Sequence, residues 1–202
     1  MPTVISHSIV GAGIASFFKS APRKKLIFAA ILLAALPDFD TILMGIFGHE
    51  SIFRHRGFMH SVFFAALAGI CAAYLFKLKK WIEPRHFMKL AILFFIVTFS
   101  HPCLDGFSTG WKYGVGYLAP FDNTRYFLWM TPLPLAPLSP EHLFSQRGIN
   151  LFLIEMSMLW TFGFGAILWN KQSDKAYLKI LAILLWMICV ATWTIRTMFP
   201  VE

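Results

Sequence analysis

The chain has 202 residues, of which 57% are hydrophobic, 17% aromatic and 14% charged, and its 18 Lys and Arg against 10 Asp and Glu give a formal charge of +8. Soluble domains carry about a quarter charged residues, so this composition excludes a water-soluble globule, a disordered chain and a collagen-like repeat. Three Cys in this length exclude a disulfide scaffold. The cations cluster in short loops between apolar runs, where cytoplasmic retention explains them and nucleic acid is not an expected partner.

The pattern predicts an all-α, polytopic membrane bundle of about six segments, one domain over 1–202. The first segment, 3–18, is short, rich in small residues and interrupted by His7. The second, 24–47, begins as a strong apolar run and breaks at Pro37-Asp38-Phe39-Asp40. Four firmer spans follow at about 58–76, 87–105, 149–169 and 177–198. Between the fourth and fifth spans, 106–148 combines Gly106, Gly110, Gly114 and Gly116, a Pro-rich run from Thr131 to Pro140, and the aromatics Trp111, Tyr113, Tyr117, Phe121, Tyr126, Phe127 and Trp129. One helix cannot carry that sequence, and a structureless loop of this length is improbable, so a structured non-helical or re-entrant cap is expected.

Loops 19–25, 77–89 and 170–179 hold 12 cations, whereas 48–57 and 106–148 hold 5. The positive-inside rule then puts the first group in the cytoplasm, and both termini and the other loops outside. No cleavable leader is expected, because the first cation, Lys19, follows the first apolar stretch.

With that topology, His7, Asp38, Asp40, His55, Arg56, His60, His101 and Asp105 all map to one end of the bundle. Ionisable groups at bilayer depth cost several kcal/mol unless they are paired or hold a cation. A shared metal site removes that cost. His101 and Asp105 leave one helix face at i, i+4, provided Pro102 is accommodated. Asp38 and Asp40 diverge on a regular helix, but Pro37 predicts a broken backbone that turns both inward. His55 is expected from the loop and His60 from the start of the third helix, with Gly57 permitting the turn.

Taken singly, each has a simpler reading: a capping pair for His101 and Asp105, a packing histidine for His7, helix caps for the Asp residues, interfacial anchors for Arg54 and Arg56. Glu155, in the middle of the fifth span, is either functional or paired with a buried Arg or Ser. Cys103 projects to a different face from His101 and Asp105; Cys71 and Cys189 are packing residues, and His49, His86 and His142 surface ones.

Seven imidazole and carboxylate ligands, His7, Asp38, Asp40, His55, His60, His101 and Asp105, suit zinc, manganese or iron, and exceed what one tetrahedral zinc accepts. A two-metal centre that activates water for phosphate-ester hydrolysis follows, with Arg56, or Arg54, holding the phosphate.

The series His7, Pro37-Asp38-Phe39-Asp40, His55-Arg56-Gly57-Phe58-Met59-His60-Ser61 and His101-x3-Asp105 resembles the YdjM-like family of membrane-bound, metal-dependent hydrolases, which includes a LexA-regulated inner-membrane member, over residues 5–120. It is also similar to the zinc-dependent phospholipase C fold. That similarity implies His7, Asp38, His60, His101 and Asp105 as ligands of two zinc ions, with Asp105 bridging. The later His-x3-Glu of those soluble enzymes has no counterpart here, since Leu151 stands four residues before Glu155.

The expected function is hydrolysis of a phospholipid or lipid-linked phosphate ester at the extracytoplasmic face. Asp40 and His55 are further ligands, a general base or orienting groups, and catalysis is assigned to Asp40, His55 and Arg56. The alternatives are a metal-ion transporter, or a non-catalytic stress-response membrane protein with a structural metal.

Overall fold

The computed structural model describes residues 2–108, 114–128, 133 and 145–169, together with 180, 183, 184, 186–188, 190, 191 and 193. Thr3 opens α1 (Val4–Ala15) by accepting the Ser6 N–H on its side chain. The next run is α2 (Arg23–Ala35), a 3-10 turn over Leu36–Phe39 and α3 (Asp40–Phe47), which ends on Gly48 at φ 90°. A loop and a second 3-10 turn, Phe58–His60, lead to Ser61, whose side chain caps α4 (Val62–Leu78). After a third such turn, Pro84–His86, comes α5 (Phe87–Gly106). The last continuous stretch is α6 (Gln146–Glu155), a π-helical turn over Met156–Trp160 and α7 (Thr161–Trp169).

Among the described residues, three helical runs are long and apolar enough to cross a membrane: Arg23–Phe47, Pro84–Gly106 and Gly148–Ile167. Val4–Ala15 and Val62–Leu78 are shorter apolar helices. The second segment, expected to be among the less regular, is thus the longest at 25 residues, because the tight turn at Pro37 keeps the chain helical through the break. The third starts later than expected, at Val62, and His60 lies in the turn ahead of it. Of the sixth, 177–198, the described positions are helical; Cys189 and Arg196 lie outside the described residues.

The bundle is apolar inside and outside. Leu26, Ala30, Ala34, Leu90, Ala91, Phe94 and Val97 form a buried core, while Phe28, Leu32, Ile42, Ile46, Leu67, Ile70 and Ile92 stand exposed. A soluble bundle would put polar residues on those outer faces, so their side chains are suited to lipid. Close helix contacts rest on small residues, as packing in lipid requires. At Gly69 in α4 a Cβ would come within 2.6 Å of the Phe95 amide nitrogen in α5, and at Gly13 in α1 within 2.8 Å of the Gly163 Cα in α7.

The expected cap is non-helical where it is described. Ser108 bridges Leu133, Val115 bridges Tyr126, and no other strand pairing occurs among the described residues. Residues 114–128 strap the ends of α4 and α5: the Gly116 N–H donates to the Arg56 carbonyl (2.9 Å), the Val62 N–H to the Tyr117 carbonyl (2.9 Å), and the Tyr117 hydroxyl to the Pro102 carbonyl (3.0 Å). Trp111, Tyr113, Trp129, His142 and nearly all of the Pro-rich run lie outside the described residues.

Candidate metal centre

Five pieces of chain deliver the polar side chains to one point. His7 comes from α1, Asp38 from the first 3-10 turn, Asp40 from the first residue of α3, His55, Arg56 and His60 from the segment before α4, and His101 and Asp105 from the last turns of α5. Pro102 sits inside α5 without breaking it, so His101 and Asp105 keep one face, with Nε2 and Oδ2 3.8 Å apart.

Asp105 is the hub. Its carboxylate lies 3.4 Å from His7 Nε2, 3.3 Å from His60 Nε2 and 3.5 Å from Arg56 Nε. Asp38 Oδ1 is 3.3 Å from His101 Nε2. One ligand atom from each of Asp38, His60, His101 and Asp105 falls within 4.8 Å of the others. Asp40, His55 and His60 form a second such group, sharing His60 with the first. His7 stacks on His101 with ring centroids 3.6 Å apart. All seven residues expected to be ligands are therefore gathered.

Their partners separate their roles. His101 Nδ1 is 2.7 Å from the Ala34 carbonyl, which only accepts, so the proton sits on Nδ1 and Nε2 carries a lone pair. His60 sits between two carboxylates, with Nδ1 3.0 Å from Asp40 Oδ2 and Nε2 3.3 Å from Asp105 Oδ2, and neither contact has regular hydrogen-bond geometry. The His101 Nε2 lone pair then faces Asp38 Oδ1 at 3.3 Å. The side chains of His60, His101 and Asp105 are fully buried, and their facing atoms have no hydrogen bond of regular geometry. Lone pair against lone pair in a dry site is repulsive without a cation between them. Protonating His101 would put a positive charge against the stacked His7 ring. Two imidazole nitrogens and two carboxylates are a donor set that zinc, manganese or iron accepts, so the residues fit a divalent metal.

Asp40 is occupied differently: it accepts from His55 Nδ1 (2.8 Å) and the Arg56 N–H (2.9 Å), and lies 3.0 Å from His60 Nδ1. Its oxygens serve to orient those groups. Asp40→Asn should lower metal affinity 10- to 100-fold, as loss of such orienting carboxylates does; a competitive chelator titration measures it.

Arg56 is fully buried at φ 61°, a left-handed conformation that a bulky residue adopts at a cost. Beside its contact with Asp105, its Nη2 donates to Ser108 Oγ at 3.2 Å, and its carbonyl accepts from Gly116 and from Arg125. Burial draws the Arg125 guanidinium down to about 10, so it stays cationic. Arg54 is half-buried. The site's more open members are Asp38 and His55, whose side chains are 10% and 12% exposed.

The sequence model of the YdjM inner membrane protein family matches residues 1–198. The chain belongs to that family. It is also 32% identical over 181 residues to inner membrane protein YbcI of Escherichia coli (strain K12), covering 85% of this chain and 100% of that protein. No solved structure matches it.

The family match runs past the 5–120 expected from motifs and takes in α6 and α7. Their contribution to the site runs through Glu155, buried where α6 meets the π-helical turn. Its carboxylate accepts from the Thr3 N–H (2.7 Å), the Thr3 hydroxyl and the Ser6 hydroxyl, while Trp160 Nε1 donates to Ser6 Oγ at 2.8 Å. Of the two readings of Glu155, pairing with serine and threonine is what the structure shows. It neutralises the start of α1 and anchors the helix that carries His7. Glu155→Ala strands those donors and should lower stability by about 2–3 kcal/mol, read as a fall in thermal midpoint in detergent, with Glu155→Gln recovering part of it.

Sequence reasoning missed the Ala34 carbonyl, Ser108 and Arg125. A backbone carbonyl carries no residue signal, whereas Ser108, three residues beyond Asp105, and Arg125, a lone cation in an aromatic segment, could have been marked. Cys103 is half-buried and Cys71 exposed, both free thiols; His49 is exposed and His86 half-buried.

Proposed function

We propose that this inner membrane protein is a metal-dependent hydrolase that cleaves a phosphate ester of a phospholipid or lipid-linked substrate. The observation that carries the reading is His101, whose Nε2 is turned onto the Asp38 carboxylate by the hydrogen bond at Nδ1, beside a His60 imidazole held between Asp40 and Asp105. His60, His101, Asp38 and Asp105 would hold the metal, with His7 beside Asp105 as a further ligand. Zinc, one ion or two, with manganese or iron as alternatives, would supply Lewis acidity and an activated water. Asp40 orients His60 and His55. His55, at the open edge, is placed to accept a proton, and Arg56 is the buried cation assigned to the phosphate.

A lipid substrate is supported by the surroundings: Phe39, Ile42, Ile46 and Phe47, exposed along the helical run that holds Asp38 and Asp40, meet acyl chains before water. The loop charges support a multi-pass chain with this end on the extracytoplasmic side. The near-complete burial of the site favours a second reading, a closed structural metal.

Elemental analysis of purified protein followed by a lipid screen with mass-spectrometric detection tests both. Phosphoester cleavage that a chelator stops and metal restores is expected. Metal-loaded protein that cleaves no lipid phosphoester would leave the structural reading, and metal flux in proteoliposomes would point to transport.

A further inference from the structure

A second feature lies at the opposite end of α1 from His7. Ten residues on, Phe17 follows the helix, about 15 Å along its axis. Here Phe17, Phe162, Gly165, Trp169, Ile183 and Trp186 line an apolar groove of about 380 Å³, within the size range of ligand sites. Trp186 Nε1 donates to the Met158 carbonyl in the π-helical turn (2.6 Å), and Ser16 Oγ to the Ala166 carbonyl in α7 (3.1 Å), so both walls are tied to that helical run. A Cβ on Gly165 would meet nothing within 4 Å, so the groove is open beside the helix backbone.

The rim is basic. Lys19, Arg23, Lys24 and Lys25 are exposed, and the first acidic residue of the chain is Asp38. Arg23 Nη2 lies 3.5 Å from the Ile167 carbonyl, which puts a guanidinium at the mouth of the groove. Lys25 is turned away onto the Trp81 ring at 3.8 Å. An apolar slot closed at its mouth by cations and tryptophan is matched by an acyl chain carrying an anionic head.

We propose that this groove binds one anionic glycerophospholipid, with an acyl chain against Gly165 and Trp186 and the phosphate on Lys19 and Arg23. The site is distinct from the metal centre and does not depend on the hydrolase reading. The lipid would seal α7 against the C-terminal helical segment at the end of the bundle that the strap does not reach.

The test is native mass spectrometry of detergent-purified protein offered phosphatidylglycerol or phosphatidylcholine. Wild type should retain one phosphatidylglycerol and no phosphatidylcholine. Gly165→Leu, which fills the slot without backbone displacement, should abolish retention. Lys19→Gln with Arg23→Gln should weaken it about 25-fold, since each cation near an anionic headgroup is worth about fivefold. Both cations are exposed, so this pair carries the test even if Gly165→Leu fails to fold. Asp105→Ala should keep the lipid, which separates this site from the metal centre. Equal retention of the two lipids, retention unchanged in both variants, or a second copy of the chain in place of lipid would overturn the proposal.

Discussion

Asp105→Ala should strip purified protein of metal and abolish hydrolysis. The Asp105 carboxylate is the one group within 4 Å of His7, His60, His101 and Arg56 together. Removing even an orienting partner lowers affinity 10- to 100-fold, so losing this ligand should exceed 100-fold. The buried Arg56 charge would also lose its counter-ion, which costs about 3–5 kcal/mol. Asp105→Asn keeps the volume and separates the two effects: it should fold better than the alanine variant and still lack metal. Full metal content in Asp105→Ala, measured by plasma mass spectrometry, would remove Asp105 from the centre.

Arg56→Lys should divide binding from turnover. The guanidinium makes two directed contacts, Nε toward Asp105 and Nη2 to Ser108, and a point-charge ammonium cannot reproduce that fork. Metal content should stay within a few-fold of wild type, because lysine keeps a positive charge beside Asp105 and the hydrogen bond that orients His101 does not use the Arg56 side chain. Hydrolysis should fall by about 10²–10³, the usual loss when a donor to developing charge is removed. If metal content instead fell as far as in Asp105→Ala, Arg56 would be a structural counter-ion to Asp105 and nothing more. The positive φ at Arg56 favours the functional assignment, since glycine would take that backbone at no cost and only a needed side chain justifies the strain.

The legibility of the site followed periodicity. His101 and Asp105 were readable together because the helix repeat puts i and i+4 on one face, and Pro102 lay too near the end of α5 to disturb it. Asp38 and Asp40 were legible as a pair, but their division of labour was not. Pro37 converts the helix to a tighter turn, and only the folded backbone decides that one carboxylate faces His101 and the other His55 and His60. The same break made the second segment look weaker than it is. The split of the fifth span by a π-helical turn was invisible, because Met156–Trp160 is as apolar as its neighbours and hydropathy does not distinguish one helical pitch from another. Glu155 stood out in sequence as a buried charge, yet its partners Thr3 and Ser6 lie about 150 positions away, beyond any local pattern.

The spread of the binding groups along the chain also sets an order of events during biosynthesis. His7 leaves the ribosome first and Asp105 almost a hundred residues later, with two apolar hairpins between them. Asp40, His55 and His60 are complete within the first 60 residues, whereas the group of Asp38, His60, His101 and Asp105 closes only once α5 is in place. On the proposed reading, an ion would reach the assembled bundle through the edge beside Asp38 and His55, the more exposed members of the cluster.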